Sequence, residues 1–131
     1  MDNSQVVEQR IRNLIVDHLT LLTSPTSINE YQEKVPVNIV NELFEQWYDN
    51  VDFRIHLIEN FESPTYTEEE RVAILKVSSL MEYALSNTPD KFPDLNQFLV
   101  SAHYQLLSNC AKEALSVFLV RGKLSDDEPA T

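Results

Sequence analysis

The stretch Asp94-Leu-Asn-Gln-Phe-Leu-Val-Ser-Ala-His-Tyr-Gln-Leu-Leu-Ser-Asn-Cys-Ala-Lys-Glu-Ala-Leu-Ser-Val-Phe-Leu-Val120 decides the fold. It holds neither Pro nor Gly. Apolar residues recur at Leu95, Phe98, Leu99, Ala102, Leu106, Cys110, Ala114, Val117 and Phe118, the three-four spacing of a helix face. A second row, Leu107, Ala111 and Leu115, widens that face until little of the helix stays polar. A helix apolar on most sides must be surrounded by other elements. The spacing therefore predicts one helix over residues 94–120, capped by Asp94 with Gln97, at the centre of a bundle. Gly122, the only glycine, follows Arg121. It can adopt the left-handed conformation that ends a helix, with Arg121 at the negative end of the dipole. Residues 124–131 are polar, acidic and contain Pro129, so a disordered tail is expected after a single domain over 1–123.

Upstream, Val7, Ile11, Leu14, Ile15, His18 and Leu22 form one stripe of a first helix over residues 4–22, with Glu8, Arg12 and Asp17 off it. Ser24-Pro25-Thr26-Ser27 breaks the pattern, and Ser27 with Glu30 reads as the capping box of a short helix over 28–34. Pro36 fits the first turn of a third helix over 36–48, its inward row being Ile39, Val40, Leu43, Phe44 and Trp47. Residues 51–57 alternate apolar and polar like an edge strand. They also give helical rows, and with no partner strand in the sequence the helix is the better reading. Thr67 and Glu70 make a further capping box, with Glu68 and Glu69 beside it, for a helix ending near Ser86. Its inward face is Ala73, Val77, Leu80, Met81 and Ala84, with Ile74 and Leu85 nearby. The architecture expected is an all-α, compact bundle of five or six helices with the C-terminal helix central.

Composition narrows the function classes. Ten basic against 21 acidic residues give a formal charge of −11 over 131 residues. Such a charge repels DNA, RNA and anionic lipid, and suits either a solubilising surface or a basic partner. A single cysteine makes no internal disulfide, and Cys110 on an apolar row reads as a buried inert thiol. The N-terminus lacks the basic start and apolar core of a signal peptide, and no apolar run is long enough to span a membrane; the expected location is cytoplasmic. One glycine leaves no phosphate-cradling loop or nucleophile elbow.

Catalytic and metal chemistry find little support in the spacing. His56 and Glu59 stand i, i+3, but the glutamates and repeated Glu-x-x-His of a bundle di-metal site are missing. His18 and His103 fall near apolar rows, where a histidine is usually a hydrogen-bonded core residue. No metal, cofactor or catalytic residue is assigned. Arg12-Asn-Leu-Ile-Val-Asp-His18 resembles the Arg-x4–6-His motif of the HEPN family, helical bundles that include metal-independent ribonucleases. The resemblance covers seven residues and implies an RNase with Arg12 and His18 in its site. Six residues of helix place the two side chains about 240° apart round the axis. The spacing thus puts His18 in the packed stripe and Arg12 in solvent.

Partner binding has a better candidate. Glu42, Glu45, Trp47, Tyr48, Asp49 and Asp52 gather aromatic groups and carboxylates around the end of the third helix. Trp and Tyr offer rigid contact area, and carboxylates steer a basic partner. The alternative is that Trp47 plugs the core and the acids are simply solvated. The leading expectation is a non-catalytic, acidic protein-binding module, in its sharper form an immunity or antitoxin-type inhibitor of a basic toxin or nuclease. The alternatives are the HEPN-like ribonuclease and a homodimeric structural or regulatory protein.

Overall fold

A computed structural model describes residues 4–35, 39–51, 65–86 and 95–128, and six helices stand among them. They are α1 (Ser4–Leu22), α2 (Pro25–Lys34), α3 (Ile39–Asn50), α4 (Glu68–Ser86), α5 (Leu95–Leu99) and α6 (Ala102–Phe118). The all-α bundle stands, and the C-terminal helix is central: α6 lies against α4, α1 and α5, while α1 also meets α2 and α3.

Local chemistry sets the helix starts. Ser24, not Ser27, caps α2; its Oγ accepts from Ser27 N at 3.1 Å, and Pro25 occupies the first turn. Proline suits that place because its missing N–H would have had no helical partner. At α4 the expected capping box is present. Glu70 N donates to Thr67 Oγ1, and Thr67 N donates to a Glu70 carboxylate oxygen, both at 3.1 Å. In α3 all five expected inward residues, Ile39, Val40, Leu43, Phe44 and Trp47, are buried.

The decisive stretch departs from expectation in one respect. Residues 95–118 form two helices, because Ser101 caps the second: its Oγ accepts from Tyr104 N (3.1 Å) and donates to Phe98 O (2.6 Å). A serine that offers the backbone an alternative partner ends one helix and starts another without Pro or Gly. The break also turns the face. Leu106 is half exposed, and Tyr104, Leu107, Ala111, Ala114 and Phe118 enter the core. α6 is therefore covered along one side rather than on most sides. The Tyr104 hydroxyl donates to Leu22 O at 3.0 Å, fixing α6 to the end of α1.

In α1 the helix bounds agree with expectation, and of the expected stripe Ile15, His18 and Leu22 are buried and Ile11 packs on the core, while two positions depart. Val7 and Leu14 are about half exposed. Ile15, Val16, Leu19 and Leu22 are buried toward the C-terminal end, and the polar Gln9, Arg12 and Asn13 are buried toward the other. The segment 51–57 lies outside the described residues but for Val51, which is buried. Among the described residues no helix is long and apolar enough to cross a membrane.

Candidate functional site: an acidic helix face and a buried ion network

The partner-binding residues expected from the sequence divide in two. Trp47 is 1% exposed, its Nε1 donates to Ser78 Oγ at 2.9 Å, and its ring stands 5.5 Å from that of His18. It anchors α3 to α4 and so leaves the proposed surface. An indole turns inward when a partner for its N–H is available in the core. Glu45, Tyr48 and Asp49 are exposed, and Glu42, half-buried, accepts from Gln46 Nε2 at 3.3 Å. Spacings of three and four residues put these four on one outward face of α3. Asp52 lies outside the described residues.

Arg12 and His18 do not converge. His18 is 7% exposed beside Trp47, with Nε2 buried and without a hydrogen-bond partner. Burial pushes its pKa down to about 4, against the upward pull of a hydrogen bond to the Leu43 backbone. Arg12, expected in solvent, is 0% exposed. Its Nη2 and Nε donate to the two Glu70 carboxylate oxygens at 2.7 and 3.2 Å, and its Nη1 donates to Gly122 O at 2.6 Å. Its guanidinium carbon lies 4.9 Å from the centre of the Phe118 ring. A charge that cannot reach water is tolerable only with such complete pairing.

Glu70 is the centre of this network. Besides Arg12 it accepts from Arg121 Nη2 at 2.6 Å, and Arg121 Nη2 also donates to Thr65 O at 2.7 Å. Burial pushes the Glu70 carboxyl up, but the hydrogen bonds from Arg12, Arg121 and Thr67, with the Arg12 charge, hold it below the usual carboxylate range. One carboxylate thus caps α4 and fastens α1 and the end of α6 to it. Gly122 adopts φ +71° and its N–H donates to Phe118 O at 2.9 Å, the helix ending expected of it. That turn aims its carbonyl at Arg12.

Beyond Gly122 the chain, described as far as Glu128, runs back along α1. Gln9 Nε2 donates to Ser125 O and Glu128 O, both at 2.8 Å. Asn13 Nδ2 donates to Leu124 O (2.8 Å) and an Asp126 carboxylate oxygen (3.0 Å), and Asn13 Oδ1 accepts from Leu124 N (2.9 Å). The segment has little that is apolar to bury, and side-chain amides on α1 contact its main chain. The signal missed was Gln9, Arg12 and Asn13 at i, i+3 and i+4, a polar row with the same spacing as an apolar one.

Among the described residues no group of three His, Cys, Asp or Glu side chains is placed to hold a metal ion. His56 and Glu59 fall outside them. His103 is half-buried with its ring 5.4 Å from Tyr83, and Cys110 is half-buried, its pKa raised by burial and by Glu113 against the opposing charge of Lys76. Comparison with family models, with curated proteins and with solved structures found no match.

Proposed function

We propose that this chain is a non-catalytic protein-binding module that meets a basic partner through the outward face of α3. The observation that carries the reading is the grouping of Glu42, Glu45, Tyr48 and Asp49 on one side of a helix whose other side is anchored by Trp47. A rigid helix presenting an aromatic group among carboxylates supplies both contact area and charge recognition. The formal charge of −11 supports the same reading, since it attracts a cationic surface at long range and repels nucleic acid. In its sharper form the module is an immunity or antitoxin-type inhibitor of a basic toxin or nuclease, acting in the cytoplasm by covering the partner's cationic surface.

Reversing charge on that face tests it. The unmodified chain is expected to retain a basic protein from a cell extract at low salt and release it as salt rises. The Glu45→Lys/Asp49→Lys chain, with unchanged helical content, is expected to retain none. Equal retention by both chains contradicts the reading.

A further inference from the structure

The groove along the N-terminal half of α1 is filled by the protein's own residues 123–128, and the manner of filling is that of a bound peptide. Asn13 reads one residue twice, accepting from Leu124 N and donating to Leu124 O, while Gln9 takes two further carbonyls. Arg10 Nε donates to Asp126 O at 2.7 Å, and Asn13 adds a contact to the Asp126 carboxylate. The Ser125 hydroxyl accepts from the amides of Asp127 and Glu128, holding the segment in a bend that faces α1. Most of these contacts go to main-chain atoms, so they specify a short bent peptide more than a particular set of side chains.

One cation of α1 faces the segment: Arg10 donates to Asp126 O and pairs with Asp127, whereas Arg12 and Arg121 are turned to Glu70, and Lys123, part of the segment, pairs with Asp17. The segment carries Asp126, Asp127 and Glu128. It is attached by exchangeable polar contacts and by surface ion pairs, Arg10 with Asp127 at 3.8 Å and Lys123 with Asp17 at 2.6 Å. Leaving would uncover the side-chain amides of Gln9 and Asn13 and the Arg10 guanidinium, which water solvates readily. A segment held in this way opens without the bundle unfolding.

We infer that the Gln9–Arg10–Asn13 groove of α1 is a binding site for an acidic peptide of another chain, occupied in cis by residues 123–128. The incoming peptide replaces the terminal segment and makes the same main-chain contacts. The site lies on α1, is recognised by opposite charge to the α3 face, and does not depend on the function proposed for that face.

The experiment uses full-length chains and a fluorescent peptide, Lys-Leu-Ser-Asp-Asp-Glu, which copies residues 123–128. Leu124→Pro removes the N–H that Asn13 accepts and leaves the groove side chains intact. This chain is expected to bind the peptide at least about tenfold more tightly than the unmodified chain, whose groove is already taken. Adding Asn13→Ala is expected to abolish binding. No binding by the Leu124→Pro chain, or binding indifferent to Asn13→Ala, overturns the proposal. A measurement on the unmodified chain guards against misfolding: the Leu124 amide is expected to exchange about a hundredfold faster than the amides inside α6. Exchange at Leu124 only through global unfolding overturns the proposal.

Discussion

The two halves of α1 are held by different physics. Toward its C-terminal end Ile15, Val16, Leu19 and Leu22 pack into a core with Trp47, Tyr104 and Ala111. Toward its N-terminal end Gln9, Arg12 and Asn13 are as well buried, but against a carboxylate, two carbonyl-rich turns and the terminal segment. Apolar burial is non-directional and tolerates a change of shape. The ion network is directional, and removing one member leaves the others charged and dry. The first half gives bulk stability; the second fixes which segments lie together, because its bonds join α1, α4, the end of α6 and the terminal segment in set directions.

Variants at the network should have the largest effects. Glu70→Ala leaves two guanidinium groups facing each other and should cost about 3–5 kcal/mol in urea unfolding, the range for breaking a buried pair. Phe118→Ala, which empties a fully buried aromatic site under Arg12, should cost about as much, 3–5 kcal/mol, through lost packing. A loss near zero in either would mean that the end of α6 is peripheral. Glu70→Gln distinguishes the two, since a neutral residue of nearly equal size removes the charge and keeps the packing.

Acid should separate the halves in a second way. The unfolded chain protonates His18 near 6.5 and the folded chain only near 4, so protons favour unfolding in that window. Stability should be level above about pH 6.5 and fall by about 3 kcal/mol on approach to pH 4. His18→Gln should flatten that slope. Glu70 acts lower: its folded pKa lies beneath its unfolded value near 4.5, so its contribution is present above that pH and disappears as pH falls through the folded pKa.

Smaller effects sharpen the contrast. Gly122→Ala forces a Cβ into a left-handed turn and should cost about 1–2 kcal/mol, through conformation alone, since nothing lies within 4 Å of the added carbon. Lys123→Ala, at the exposed pair with Asp17, should change stability by less than about 1 kcal/mol. A larger loss there would show that the terminal segment contributes to the bundle as a whole.

What the sequence made legible follows the same division. The inward row of α3 and the capping box of α4 were readable because each uses one signal, apolar spacing or a local hydroxyl–carboxylate pair. On α1 the apolar spacing overreaches at two positions, Val7 and Leu14, which continue it while standing half exposed. Arg12 was placed in solvent because its partner is 58 residues away, and no local rule couples Arg12 to Glu70. Trp47 satisfied both a surface and a core reading until Ser78 supplied the acceptor for its N–H. The break at Ser101 was hidden because serine caps a helix without interrupting the apolar pattern around it.

The most direct test of the ion network is a double-mutant cycle on Arg12→Met and Glu70→Leu, read as urea unfolding with helical content checked for each chain. The account expects each single variant to be strongly destabilised and the double variant to recover about 2 kcal/mol relative to their sum, since the second change removes the charge stranded by the first. Losses that add within about 0.5 kcal/mol would show that the two residues are merely neighbours, and would contradict it.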